Sequence, residues 1–279
     1  MSDGLPPYIG FAGLWRLELS GLEIPRLGPM LEARLARDPR NAEAMMDIAT
    51  LSILTLIPEN REPAFAMQAR ALEIRQVYRI PAARQPPGLR VLALACPGDM
   101  TSLTHLDCLL EDSDVELLML YVRDGHPLPA RLPDHDLVFV AAGESAQNRA
   151  ILAQIGRFAA TSPRPVLNRP DRILQLARDH VSRVLQPIPG VAMPATVMID
   201  RKALEQVAEG RLQLTALLAS GSFPIIARPQ DSQGGKDLEK VDGAASSQST
   251  SQRLRAMPSS SRASSTTAGR TACSGSTGS

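Results

Sequence analysis

The sequence has little net charge and few cysteines, and it contains no cysteine motif of the kind that binds metal. Across 279 residues, 30 Lys and Arg nearly balance 29 Asp and Glu, which gives a formal net charge of +1. Such a balance provides no electrostatic footprint for nucleic acid or for an anionic membrane surface. Cys96, Cys108 and Cys273 are odd in number and widely spaced, so they form neither a disulfide framework nor a zinc signature.

Membrane-spanning and targeting segments are also missing from the sequence. No uninterrupted apolar run approaches the roughly 20 residues that cross a bilayer. The N-terminal MSDGLPPYIGF lacks the basic start and the apolar stretch of a signal peptide. Since 44% of the residues are apolar, most of the chain can bury a core. These features predict a cytoplasmic protein of about two domains, whose partners are small molecules or proteins and neither nucleic acid nor a membrane.

Ser and Thr dominate the last part of the chain, residues 243–279. This segment contains no Asp or Glu, and no Val, Ile, Phe, Tyr or Trp. It therefore buries too little apolar surface to offset the entropy lost on ordering. The composition predicts a disordered tail.

Three helices are predicted in the segment of residues 27–82. The last of them is predicted to extend to residue 80. Pro29 suits a first helical turn, Asp38-Pro39 ends that helix, and Asn41 is a suitable N-cap for the next. Small residues recur along the second and third helices: Ala42, Ala49, Ala64 and Ala71. This pattern resembles one tetratricopeptide-like unit, although a solenoid needs about three. An ordinary helical hairpin packed on its neighbour is the alternative.

Apolar strands alternate with helices after a Pro- and Gly-rich linker at residues 83–89. The four predicted strands lie within residues 90–98, 115–122, 136–144 and 165–168. The alternation predicts a parallel sheet covered by helices on both faces. Because ligands bind beyond the carboxyl ends of such strands, the loops 96–99 and 142–145 are expected to face a site. No G-x-G-x-x-G follows any strand, which disfavours a nicotinamide enzyme.

The following segment carries the candidate ligand contacts. It predicts a long helix over residues 169–185, then a strand, a helix and a hairpin that joins FPIIARP to LEKV. Small residues at the hairpin tip let backbone N–H groups close over an anion such as a triphosphate. Arg228 on the preceding strand and Arg178 on the helix could neutralise its charge. Taken singly, these features are also typical of an ordinary turn and of solvated arginines.

The order of these features resembles the ATP-grasp family. An Asn precedes a helix that carries a basic residue, I-P-G and P-A-T follow, and F-P-I-I-Ala-Arg-Pro leads into a glycine loop. The similarity is greatest to RimK-like carboxylate–amine ligases with an N-terminal helical segment. It covers residues 90–242, of which residues 90–168 look like the domain that precedes the ATP-grasp fold.

The resemblance implies an enzyme that uses ATP and Mg²⁺ to activate a carboxylate as an acyl phosphate and joins it to an amine or thiol. By position, Arg178 matches the first basic ATP contact, and Arg228 matches the contact to the α- and β-phosphates. Both are usually lysine in the family, and the planar fork of arginine differs from an ammonium point charge. The matching phosphate-covering loop is Ser232, Gln233, Gly234 and Gly235, where Lys236 could add a further charge.

The family's larger subdomain, which holds magnesium through Asp, Glu and Asn, is not recognisable in this sequence. No acidic residue follows Asp242, so the tail offers no ligand of the type that Mg²⁺ prefers. The neighbouring Asp179 and His180 are predicted to form a pair on a helix surface, and they do not replace the missing magnesium ligands. No catalytic or metal-binding residue can therefore be named. One hypothesis is that the tail is an out-of-frame translation of that subdomain, and a native disordered tail is the alternative.

The predicted fold is α/β in five parts. They are an N-terminal segment (1–26), a tetratricopeptide-like helical hairpin segment (27–82), a parallel-sheet pre-ATP-grasp domain (90–168), an incomplete ATP-grasp small subdomain (169–242) and the tail (243–279). The predicted function is an ATP-grasp ligase homologue that is truncated, binds ATP weakly or not at all, and has no turnover. The alternatives are a non-catalytic protein-interaction module that uses residues 27–82 and an unrelated α/β binding module.

Overall fold

The structure is a computed structural model that describes residues 6–19, 24–208, 210–218, 221–230, 238–241 and 264–268. The chain divides into two units, Met1–Leu174 and Gln175–Ser279. Each unit contains its own sheet with helices packed against it. Within the described ranges, no helix is both long enough and apolar enough to cross a membrane.

Four helices open the first unit. They are α1 (Gly10–Leu19), α2 (Ile24–Arg37), α3 (Ala42–Leu54) and α4 (Arg61–Ile74), with a short 3-10 turn at Pro58–Asn60. The predicted N-cap of α3 is confirmed, because the side-chain oxygen of Asn41 accepts a hydrogen bond from the backbone N–H of Ala44 at 2.9 Å. This bond satisfies one of the N–H groups that the first turn of a helix leaves open.

The first predicted helix begins earlier than the sequence indicated. Since α2 starts at Ile24, Pro29 lies inside the helix and the prediction that it occupies the first turn is wrong. Leu27 and Leu31 lie four residues apart on one face and are buried against residues of α1 and α3. The apolar face of α2 therefore starts before the proline, and its packing carries the helix past it.

The prediction of helix through residue 80 is also wrong at its end. Val77–Ile80 forms strand β1, which pairs antiparallel with the later strand Val115–Tyr121, with Val77 opposite Leu120 and Ile80 opposite Leu117. Tyr78 at the centre of β1 is almost fully buried. Aromatic and β-branched residues favour a strand where a sheet edge is available, and here that edge outweighs local helix propensity.

The parallel sheet predicted for the first unit is confirmed. Its strands are β1, β2 (Leu89–Ala95), β3 (Val115–Tyr121), β4 (Leu137–Val140) and β5 (Val166–Leu167), in the order β1-β3-β2-β4-β5. All pairs are parallel except the one that β1 makes. The helices between them are α5 (Leu106–Leu109), α6 (Arg149–Thr161) and, after β5, α7 (Pro170–Ile173).

Helices cover both faces of this sheet, as alternating strands and helices predict. On one face, Val91 and Ala93 of β2 belong to a cluster that includes Met45 of α3 and Leu72 of α4. On the other face, the cluster includes residues of α6. Neighbouring residues of a strand point to opposite faces, so one buried strand serves both clusters. The α3–α4 hairpin therefore shares a hydrophobic core with the sheet.

The second unit is built on an antiparallel sheet. Its elements are α8 (Arg178–Leu185), β6 (Ala195–Ile199), α9 (Arg201–Ala208), a 3-10 turn at Leu214–Ala216, β7 (Ile225–Pro229), β8 (Glu239–Val241) and β9 (Ser264–Ala268). The strand order is β6-β9-β7-β8. The predicted strand, helix and hairpin are all present, and Ile225 of β7 lies opposite Val241 of β8.

The single long helix predicted over residues 169–185 is wrong, because it is two short helices. It breaks between α7 and α8, at the division between the two units. Ile173 of α7 is buried in the core of the first unit, whereas Ser182 of α8 is buried in the second. No Pro or Gly marks the break, so the two separate anchoring points cause it and local sequence gave no signal.

Most of the tail predicted to be disordered lies outside the described residues. Residues 264–268 are the exception, because they form β9 and pair antiparallel with β6 on one side and with β7 on the other. Within the predicted tail, these five residues therefore form a strand. Composition predicts whether a segment can bury apolar surface, whereas β9 is positioned by backbone pairing between two strands.

Candidate functional site

The candidate site in the second unit is formed where α8 meets the end of β7. Arg178 is the first residue of α8, and Arg228 lies near the end of β7. Nη1 of Arg178 donates a hydrogen bond to the backbone carbonyl of Gln230 at 2.7 Å. Because Gln230 directly follows β7, this bond joins the start of α8 to the chain segment that leads into the glycine loop.

A buried serine fixes the helix that carries Arg178. Oγ of Ser182 donates to the carbonyl of Pro194 at 2.8 Å and accepts from the backbone N–H of Thr196 at 3.0 Å. Gln186, the residue directly after α8, donates to the same oxygen at 2.8 Å. Since residues four apart share one face of a helix, the bonds at Ser182 also set the direction of Arg178. The helix is thus held to the start of β6 at one point.

Arg178 lies close enough to Arg228 for its positive charge to lower the pKa of Arg228. Partial burial lowers the pKa of Arg228 below its ordinary value, and the positive charge of Arg178 lowers it further. Nε of Arg228 is buried and has no hydrogen-bond partner among the described residues. Two neighbouring cations and a buried donor without an acceptor favour an anion between them, because phosphate oxygens supply both charge and acceptors.

The structure brings together two of the seven residues predicted to contact ATP. These two are Arg178 and Arg228, while the other five, Ser232, Gln233, Gly234, Gly235 and Lys236, lie outside the described residues. The carbonyl of Gln230 was missed, although its place at the start of the loop was the available signal. His180 is hydrogen-bonded to Arg183 at 2.8 Å on α8 itself.

The described side chains of this site do not fit magnesium. Mg²⁺ prefers carboxylate oxygens and water, whereas both side chains identified here are cationic. In the described part of the chain, no group of three or more His, Cys, Asp or Glu is placed to hold a metal ion. The two arginines fit an anionic nucleotide, and no step through a metal ion follows from this donor set.

The two loops predicted to face a site in the first unit do meet at the carboxyl edge of its sheet. Leu103, close behind the first loop, forms a bridge with Ala142 of the second. The N–H of Gly143 donates to the carbonyl of Ser102 at 3.0 Å, and Nδ2 of Asn148 donates to the carbonyls of Ser102 and Gly143. These bonds hold both loops in a fixed conformation beyond β2 and β4.

Comparison with known proteins finds no matching family model and no matching curated protein. Solved structures do match. A RimK domain protein ATP-grasp from Sphaerobacter thermophilus is 12% identical with a TM-score of 0.39, over 64% of this chain and 64% of that one. The D-cycloserine synthetase DcsG is 17% identical with a TM-score of 0.38, over 63% of this chain and 58% of that one. The chain spans less than two thirds of either structure.

Proposed function

We propose that the second unit keeps a weak affinity for a nucleoside triphosphate, which it binds in the manner of an ATP-grasp small subdomain. One observation carries this proposal: Arg178 and Arg228 converge where β7 enters the glycine loop, and Arg228 keeps a buried Nε without an acceptor. A polyphosphate placed there relieves the repulsion between the two cations and accepts from that donor. An arginine side chain can donate to two phosphate oxygens at once, whereas the lysine that is usual in the family acts as a single point charge.

The binding test compares Arg228→Gln with Arg183→Gln, an exposed arginine on α8 that is bonded to His180. We expect ATP to slow hydrogen exchange in residues 225–230 and 238–241. Arg228→Gln removes charge-assisted hydrogen bonds that contribute roughly 1.5–3 kcal/mol each, so binding should weaken at least about tenfold. Arg183→Gln should bind as the unchanged protein does. Equal weakening in both variants, or no protection by ATP at all, would contradict the proposed site.

The chain is proposed to be a carboxylate–amine ligase homologue that has no turnover by itself. Phosphoryl transfer needs a metal ion to neutralise the developing charge, and the described site has no carboxylate to hold one. We expect no phosphate release above background when the purified 279-residue chain is given ATP, Mg²⁺ and a panel of carboxylates and amines. Ligation of any pair would overturn this proposal. The carboxylate and amine are themselves inferred only from the family resemblance.

The origin of the tail is a separate proposal. An out-of-frame translation of the family's larger subdomain would explain a segment that lacks both acidic residues and large apolar ones. We expect the shifted reading frame of the gene across codons 236–279 to stay open well beyond them. It should then encode aromatic residues together with Asp, Glu and Asn. A shifted frame that closes at once would show that the tail is genuine.

No specific observation favours the alternative function, which is protein interaction through residues 27–82. Met45 and Leu72 lie on the inner faces of α3 and α4 and are buried in the core that these helices share with the sheet. In a solenoid, such a face packs against the neighbouring repeat. Here the sheet of the same unit already covers it.

A further inference from the structure

The first unit contains a pocket that the proposed nucleotide site does not use. It lies at the carboxyl ends of β2 and β3, beside α1, α3 and α4, and has a volume of about 30 Å³. Its walls include the rings of Tyr8, Phe11 and Tyr121 and the side chains of His105 and Asp107. A volume of this size accommodates a water molecule or a head group of a few atoms.

Asp107 brings an unsatisfied buried charge to this pocket. Its side chain is only 5% exposed. Oδ2 accepts a hydrogen bond from the backbone N–H of Ala12 at 2.8 Å, whereas Oδ1 is buried without a partner among the described residues. Neither Lys nor Arg forms an ion pair with this carboxylate in the described part of the chain. A buried carboxylate oxygen that has no donor, in a carboxylate that no Lys or Arg neutralises, is costly unless a ligand supplies both.

His105 presents a second acceptor to the same point. Nε2 of His105 lies 2.9 Å from the carbonyl of Met100. Since a carbonyl only accepts, this bond assigns the ring hydrogen to Nε2 and leaves Nδ1 of the neutral ring as an acceptor. Nδ1 lies 3.6 Å from Oδ1 of Asp107. The ring of Phe11 stacks on the imidazole with centroids 3.7 Å apart, so the orientation of His105 is fixed on two sides.

We propose that this pocket binds the ammonium group of a small primary amine. An ammonium group carries three N–H donors and one positive charge, so it can donate to Oδ1 and Nδ1 together and neutralise the carboxylate. A water molecule could donate to both atoms, but it would leave the buried charge of Asp107 uncompensated. The pocket lies wholly in the first unit, and this inference does not depend on nucleotide binding by the second.

Methylammonium chloride is the probe, and sodium chloride and tetramethylammonium chloride at equal concentrations are the reference salts. The single tryptophan, Trp15, stacks with Phe11, which lines the pocket, and serves as the fluorescent reporter. We expect a saturable change in Trp15 emission and a rise in Tm with methylammonium alone. Tetramethylammonium has no N–H to donate and should act as sodium does.

Asp107→Asn is the decisive variant. The asparagine oxygen can still accept from the N–H of Ala12, and its NH₂ group then faces Nδ1 of His105 at 3.6 Å, so the bond to α1 is kept and the charge is gone. We expect methylammonium to bind at least about tenfold more weakly. The matched control is Asp124→Asn at an exposed loop position, which should bind normally.

Three results would overturn the proposal. They are no saturable effect beyond that of sodium, equal binding by Asp107→Asn, and equal binding of tetramethylammonium. The first of these would mean that the pocket holds water only. Should Asp107→Asn fail to fold, His105→Phe keeps a ring against Phe11 but removes the Nδ1 acceptor. That variant should lose the response to methylammonium, and a retained response would count against the site.

Discussion

Replacing Asp47 with alanine is expected to lower the free energy of unfolding of the first unit by about 2–6 kcal/mol. Asp47 lies on α3 and is fully buried. Its Oδ2 accepts from the backbone N–H of Ile9 at 2.9 Å, and its Oδ1 accepts from that of Gly10 at 3.0 Å. Alanine leaves both buried N–H groups without an acceptor, and each such loss costs roughly 1–3 kcal/mol. Because Gly10 begins α1, the docking of that helix should loosen first.

Urea denaturation followed by the emission of Trp15 measures this effect at the helix concerned, since Trp15 lies on α1. Reporting from one unit also avoids treating two units as a single two-state transition. Asp124→Ala, at an exposed position, is the control and should change the midpoint little. A loss below about 1 kcal/mol in Asp47→Ala would show that water replaces the carboxylate and that α1 is held by its apolar contacts alone.

The same carboxyl predicts how the stability of the first unit depends on pH. Burial raises the pKa of Asp47 from its ordinary 3.8 to about 7, and the two N–H donors only partly oppose this shift. The folded state therefore binds the proton more tightly than the unfolded chain does. This contribution to stability is complete below about pH 4 and is lost as the pH rises through about 7. Asp47→Asn does not titrate, so the fall in stability between pH 5 and pH 8 should be smaller in that variant by the share that Asp47 supplies.

Local sequence patterns predicted those elements of the fold well whose formation depends on residues within the element itself. The apolar runs that became β2 and β3 are buried on both faces, and their short length favours a strand over a helix. Asn41 caps α3 with its own side chain, so its role needs no distant partner. Val77–Ile80 was missed because its strand exists only through pairing with β3, which lies far along the chain.

The candidate sites were less predictable, because they depend on partners distant in sequence. The resemblance identified Arg228 and Arg178 as candidate contacts. The hydrogen bond from Arg178 to Gln230, which brings the two regions together, joins residues that are 52 positions apart in the sequence. An Asp in a helical pattern, such as Asp47, is ordinarily read as solvent-exposed. Its acceptor role arises only when Ile9 and Gly10 arrive from 38 and 37 residues away. No periodicity or spacing in the sequence carries that information.

Removing β9 is expected to release β7 and thereby disturb the candidate nucleotide site. β9 pairs with β6 through five residue pairs and with β7 through another five. Without it, β7 keeps only its three-residue pairing with β8. Each lost backbone hydrogen bond contributes about 0.5–1.5 kcal/mol net. The loss of several such bonds is therefore expected to exceed the free energy that keeps a strand as short as β7 in the sheet. Backbone amides of Ile225–Pro229 should exchange at least about 100-fold faster in a chain that ends at Val241.

A chain that ends at Arg270 is the matched control, since it keeps β9 and removes only the last part of the tail. It should exchange at β7 as the full chain does, and both comparisons use the same peptides in one hydrogen-exchange experiment. Equal exchange in the two shortened chains would show that β7 does not depend on β9. That outcome would favour the out-of-frame origin of the tail, because an accidental sequence has no reason to supply a central strand. A large difference would instead mean that Ser264–Ala268 completes the sheet on which Arg228 is mounted, and that the tail belongs to the folded protein.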